Sequence, residues 1–165
     1  MGQDSYRRLP SRTSDNCFAC GQNHPSGLRM TFFTDGEKVL SWPRVPKHLS
    51  GWSNLVHGGV ISTMLDEIMG WAAVRLLKRM SLTRSITVDF LKPVYVEEEL
   101  TLEAGVKAMH GEREALMESS LRNGKGELCA VAVGTFALFA FDAIRKRAIV
   151  DNELLDELER LVSDP

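Results

Sequence analysis

His57-Gly58-Gly59-Val60-Ile61-Ser62-Thr63-Met64-Leu65-Asp66-Glu67-Ile68-Met69-Gly70-Trp71-Ala72-Ala73 is the stretch that decides the fold. At about 100° per residue, Val60, Ile61, Met64, Leu65, Ile68, Met69, Ala72 and Leu76 share one broad apolar arc, which Trp71 and Val74 widen. The spacing predicts a single helix from near Gly58 to about Lys78. A helix this apolar needs a cover, most simply a sheet.

One stripe of that helix differs. Gly59, Ser62, Asp66, Gly70 and Ala73 project together, and Asp66 alone among them carries charge. Small residues admit another backbone, and a carboxylate set among them is either paired or functional, because burying it alone costs several kcal/mol or forces it to keep its proton. Glu67 lies about 100° round the helix from Asp66, beside Trp71 and Val74, and is expected to meet solvent or polar groups near Arg75. At the helix start, His57-Gly58-Gly59 sets no side chain over the first-turn N–H groups. These are orphan donors at the positive end of the macrodipole, a place for a carbonyl oxygen that becomes an oxyanion. The glycines equally permit a plain tight turn. Asp66 lies about 12 Å along the axis from Gly58, so one carbonyl cannot touch both. Two antiparallel copies of the helix would bring the Asp66 of one chain to the Gly58 N–H of another, which predicts a two-fold dimer.

The surrounding sequence reads as strands. Leu28–Thr34 and Val39–Val45 are expected first, turned at Asp35-Gly36, with Pro43 and Pro46 limiting the second. Residues 47–56 form a loop into the helix, and Lys78-Arg79 suit its C-terminal end. Next come Leu82–Leu91, an alternating run through Leu100, Leu102, Val106 and Ala108, a run with Ala115, Met117, Ser119 and Leu121 facing inward, and Leu128–Phe141. The last is apolar on both faces, small on one, and expected to be central. Asn123-Gly124-Lys125-Gly126 is a strong hairpin signal. Leu154, Leu155, Leu158 and Leu161 give a tail helix over Asp151–Val162 with Asp151 as its cap. Strands, one long helix, then a four-strand meander make an α+β domain: a curved antiparallel sheet wrapped around one long central helix.

His-Gly-Gly, an acid nine positions after the histidine, and a strand ending Asp89-Phe90-Leu91-Lys92-Pro93-Val94 together resemble the hot-dog fold acyl-CoA thioesterases, most closely the phenylacetate-pathway type and its 4-hydroxybenzoyl-CoA thioesterase-like relatives. The resemblance covers roughly residues 17–141. It implies hydrolysis of an acyl-CoA to acid and free coenzyme A, with Asp66 as general base or nucleophile and the Gly58 N–H polarising the carbonyl. His57 would orient the loop. Many such relatives place Asn or Gln six residues before the histidine; Gly51 stands there, and Asn54 is the nearest substitute. Thr83, ten residues before Pro93, matches a position where some relatives use a serine from the partner chain to fix the attacking water. Substrate contacts are expected from Gly59 and Met64 along the acyl chain, from Phe90 and Leu91 along the pantetheine, and from Lys92 or Arg84 at the phosphates. No cofactor is implied, and a homodimer or dimer of dimers is.

Two rival readings share this fold. One is a non-catalytic acyl-CoA binding or sensing module, for which no DNA-binding extension is visible. The other is a hydratase, whose usual Asp and His in one loop-helix segment are not found. No Gly-x-Ser-x-Gly elbow, phosphate loop or dinucleotide fingerprint occurs.

The chain of 165 residues reads as a leader (1–16), the main domain (17–145) and an appended C-terminal helix (146–165). Its 44% hydrophobic and 25% charged residues are ordinary for a globular protein, and a net charge of −2 with no basic run implies no nucleic acid. Met1 to Asp15 is polar and lacks a signal-peptide core, and no stretch reaches membrane-spanning length. With three cysteines, a cytoplasmic protein with free thiols is expected. Cys17-Phe18-Ala19-Cys20-Gly21 invites zinc or redox readings. A zinc site wants more ligands than His24, His48 and the distant Cys129 offer by sequence, and Gly21 and Pro25 mark turns, so the segment is read as a structural turn with no metal. Cys129 is expected in the core.

Overall fold

Gly58–Leu77 form the central helix, α1, and every other element is placed by it. In this computed structural model, which describes residues 5–12 and 16–163, the N-cap of α1 is His57 and the C-cap is Lys78, in the left-handed region at φ 55°. The predicted apolar arc faces inward: Met64, Leu65, Ile68, Met69 and Ala72 are each 0% exposed. At about 1.5–3 kcal/mol per buried side chain, this face is the main term holding helix to sheet. Trp71 leaves the sheet side and stacks on Phe32, with ring centroids 4.4 Å apart.

The sheet comprises β1 (Arg7–Arg8), β2 (Phe33–Thr34), β3 (Val39–Ser41), β4 (Met80–Phe90), β5 (Thr101–Met109), β6 (Glu114–Arg122) and β7 (Leu128–Phe139), all antiparallel, in the order β1-β2-β3-β5-β6-β7-β4. It lies around α1, which meets β3 to β7, and this is the hot-dog arrangement. The expected four-strand meander is corrected. Only β5, β6 and β7 form one; β4 enters at the far edge against β7, and residues 91–100 carry the chain back to β5 beside β3. Alternation tells which residues share a face, but not which strand is the neighbour. The small side of β7 shows why α1 fits: a Cβ on Gly134 would lie 3.2 Å from the Met69 Cε and 2.9 Å from the Phe136 ring. The other face of β7, expected to be covered as well, is half-exposed at Val131, Val133 and Thr135.

Four further expectations change. The strand Leu28–Thr34 shortens to Phe33–Thr34, because Leu28 and Met30 give their N–H groups to the carbonyls of Phe18 and Ala19, at 2.8 and 2.9 Å, rather than to a strand. The strand Val39–Val45 stops at Ser41, before Pro43. The end of the last predicted strand is a short helix, α2 (Phe141–Arg147), with Asp142 in its first turn and Arg145, Lys146 and Arg147 in its last, in accord with the macrodipole. Part of the expected loose leader is attached to the sheet. Arg7–Arg8 pairs with β2, and Leu9 is 2% exposed, its N–H donating to the Phe32 carbonyl at 2.8 Å. Residues 1–4 and 13–15 of that leader lie outside the described residues.

The tail helix, α3 (Asn152–Ser163), docks instead of trailing. Leu155, Leu158 and Leu161 are buried, and Arg75 of α1 donates to the Leu161 carbonyl at 3.2 Å. No helix of the described residues is long and apolar enough to cross a membrane.

Candidate active site

Asp66 stands midway along α1, half-buried, where β4 passes over it. The Thr83 hydroxyl donates to Asp66 Oδ1 at 2.8 Å. The β4–β7 register shifts between Thr83 and Ser85, leaving Arg84 as the extra residue of a bulge, a device that re-aims neighbouring side chains. Burial raises the Asp66 carboxyl above its usual 3.8, and the Thr83 bond pulls against that rise. The pair opens onto a cavity of about 190 Å³ lined by Gly70, Trp71, Val74, Leu82, Phe136, and Leu158 and Leu161 of α3, with Arg12, Glu67 and Ser81 also in its wall. The α3 leucines line this cavity, which sequence reasoning missed. Their helical spacing was legible, but not the surface they dock on.

The start of α1 forms a second half. His57 Nδ1 accepts from the Gly59 N–H at 2.9 Å, and the His57 carbonyl takes the N–H groups of Val60 and Ile61. The Gly58 N–H is left with no hydrogen-bond partner among the described residues. Gly58 also keeps its surface open toward the Phe90 ring, since a Cβ there would lie 3.7 Å from it. Together Leu55, Gly58, Phe90, Leu91, Lys92 and Pro93 line an open groove of about 340 Å³. Its apolar floor is exposed, with Phe90 at 54% and Leu91 at 53%. Gly51, where relatives of the resembling family carry a polar side chain, runs against His57: a Cβ on it would lie 3.2 Å from the His57 Cα.

Asp66 with Thr83, and Gly58 with Phe90 to Lys92, are therefore two candidate half-sites on one helix, separated by about 12 Å of rise. Other expected contacts are placed differently. Met64 is wholly buried beneath α1 and lines neither space, because its position falls on the sheet face of the helix. The Gly59 N–H is taken by His57. Asn54 is exposed; its carbonyl accepts from Val96 N at 2.9 Å, and its side chain makes no hydrogen bond among the described residues. Lys92 lies at the Gly58 groove but is paired with Glu127 at 2.7 Å, whereas Arg84 pairs with Glu114 and lies beside Thr83, away from that groove.

Glu67 does not turn to solvent. Its Oε1 accepts from the Trp71 indole N–H at 3.1 Å and lies 3.9 Å from the Cys17 sulfur, beneath the 17–20 turn. Burial raises its carboxyl, and the nearby Cys17 adds to the rise. Cys129, as expected, is in the core at 0% exposure.

Residues 53–130 match the model of the thioesterase superfamily. A Saccharolobus solfataricus protein named as a candidate esterase is 33% identical over 87 residues, covering 52% of this chain and 56% of that protein, so the chain spans little more than half of that relative. Among solved structures, the PaaI protein of the Escherichia coli phenylacetic acid degradation operon superposes with a TM-score of 0.61 at 18% identity, over 68% of this chain and 81% of its own. A Streptococcus pneumoniae thioesterase protein solved with coenzyme A gives a TM-score of 0.59 at 20% identity, over 63% and 82%. At these identities the two structures establish the shared hot-dog fold.

Proposed function

From a hot-dog chain whose residues 53–130 match the thioesterase superfamily, we propose an enzyme that hydrolyses an acyl-CoA thioester to a carboxylic acid and free coenzyme A. The observation that carries the reading is the Asp66–Thr83 pair: a carboxylate with one oxygen anchored at 2.8 Å, set in the wall of a cavity that Gly70, Trp71, Val74 and Phe136 also line. Coenzyme A in a relative of the same fold supports the choice of thioester.

The acyl group lies in the cavity against Gly70, Trp71 and the α3 leucines. The pantetheine follows the groove at Phe90, Leu91 and Pro93. Lys92, at the groove mouth, exchanges Glu127 for a phosphate. The Gly58 N–H of one protomer holds the thioester oxygen while Asp66 of its partner, steadied by Thr83, takes a proton from the attacking water. The tetrahedral intermediate then expels the coenzyme A thiolate. In the alternative route the Asp66 carboxylate attacks the carbonyl directly; single turnover in heavy-oxygen water separates the two, because only direct attack leaves label in Asp66.

A panel of aromatic and aliphatic acyl-CoA esters, assayed for free thiol, tests the function. Asp66→Asn should lower kcat by about 10²–10⁴ while a non-hydrolysable analogue still binds. Binding of acyl-CoA with no thiol release from any ester would assign the protein as a binding module instead.

A further inference from the structure

The fold brings a third donor to Cys17 and Cys20. Glu67, 50 residues from Cys17, presents its carboxylate beneath the turn, and the two sulfurs and a carboxylate oxygen all lie within 4.8 Å of one another. We propose that Cys17, Cys20 and Glu67 form a site for a zinc-like divalent cation, which fastens the 17–30 segment to α1 next to Asp66.

The turn is shaped to hold a thiolate. The Gly21 N–H donates to the Cys17 carbonyl at 2.8 Å, closing the Cys-x-x-Cys-Gly loop. The Cys20 thiol, then the backbone N–H groups of Cys20 and Ala19, point at the Cys17 sulfur, with the Arg12 guanidinium nearby. The Trp71 indole fixes the Glu67 carboxylate at 3.1 Å, the kind of outer support that orients a metal ligand. Charge closes as well. Two thiolates and a carboxylate carry three negative charges, a divalent cation supplies two positive, and the Arg12 guanidinium, 3.6 Å from the Cys20 sulfur, supplies the third. Binding releases one proton from each thiol that is protonated beforehand.

The donor set selects the ion. Metal–sulfur bonds of about 2.3 Å and metal–oxygen bonds of about 2.0–2.2 Å need donors roughly 3.5–3.8 Å apart in a tetrahedron, close to the 3.9 Å already present between Cys17 and Glu67. Thiolates disfavour magnesium and calcium, and two cysteines are too few for an iron–sulfur cluster. Three protein donors leave a fourth position for water or an added ligand. A simple dithiol couple would give Glu67 no part to play, which is why the metal reading is preferred.

The test uses the full chain, purified without an affinity tag under reductant, and does not depend on thioester hydrolysis. Zinc should be recovered at one per chain, and cobalt added after chelation should show sulfur-to-cobalt charge transfer with tetrahedral bands. Glu67→Gln, which keeps size and one oxygen, should weaken cobalt binding by about tenfold or more. Removing the metal should lower Tm, and zinc should restore it. Failure of the unaltered chain to hold zinc or cobalt at equimolar metal overturns the proposal. So does a Glu67→Gln protein that binds as tightly as its parent, or a Cys17–Cys20 disulfide as the stable form with no metal taken up. Because the cobalt spectrum is read on the unaltered chain, a misfolded cysteine variant does not blunt the test.

Discussion

Asp66 is held between two opposed influences, and its titration should report both. Burial raises its carboxyl above the usual 3.8 and the Thr83 hydroxyl lowers it. The proposed mechanism needs the ionised form, so the acidic limb of kcat/KM should lie above the ordinary aspartate range. Thr83→Val keeps the shape of the side chain and removes the hydroxyl. The limb should then move to still higher pH and kcat should fall; a limb that stays in place would show that Thr83 does not bond the carboxylate that titrates. Stability follows the same shift with its own sign. The folded chain holds the Asp66 proton more tightly than the unfolded chain, so this group's contribution is fully present below about pH 4 and is lost as pH rises through the folded value. Asp66→Asn should therefore leave Tm near its parent value at pH 3 and raise it at neutral pH, while abolishing most turnover. Loss of stability at neutral pH would mean that the carboxylate has a compensating partner.

Helix α1, β4 and α3 together make the cavity beside Asp66, the proposed acyl site, and Gly70 is the position where filling and folding separate. A Cβ on Gly70 would meet only the Phe136 ring, at 3.9 Å. Gly70→Leu gains about 0.5–1 kcal/mol of helix propensity yet projects into the space beside Asp66. Tm should hold or rise while kcat/KM for bulky acyl-CoA esters falls more than tenfold and that for the smallest ester falls less. Equal loss for all esters would place the acyl group elsewhere. At this scale much was legible. The 3.6-residue period of Val60 to Leu76 gave α1 nearly to the residue, and the small stripe singled out Asp66, the half-buried carboxylate that accepts from Thr83. What was not legible depends on contacts distant in sequence. Met64 shares the helix with Asp66 but faces the sheet, and no local pattern says which arc the acyl group uses. Leu158 and Leu161 show their period but not their docking surface, and Glu67 meets Cys17 and Cys20 only after the chain has folded back. The edge position of β4 is hidden for the same reason, because its partner β7 lies 48 residues further on, between Met80 and Leu128.

In the whole molecule, the two half-sites lie about 12 Å apart on one helix and one thioester cannot bridge them. The edge strand β4, 11 residues long, is exposed at Thr83, Ser85, Thr87 and Asp89, and an edge of that length is a template for pairing with a second copy. An antiparallel two-fold pair would set the Asp66 half of one protomer against the Gly58 half of its partner. Sedimentation at micromolar protein should find a dimer or tetramer, but assembly alone does not show that the site is shared. Mixing two inactive chains does. Gly58→Pro removes the oxyanion N–H at the first helical position, where proline is well tolerated, and His57 before it is already extended at φ −61° and ψ 135°, as a residue preceding proline must be. Asp66→Asn removes the carboxylate. Each variant alone should be nearly dead. Unfolded together and refolded as an equal mixture, half of the dimers carry one copy of each, and each such dimer has one site built from two intact halves, so activity should recover to about a quarter of the parent value. Recovery requires that Gly58 and Asp66 of one site come from different chains. If the mixed dimers form and stay inactive, both groups act within one chain, and the shared-site mechanism is wrong even though the fold and the dimer stand.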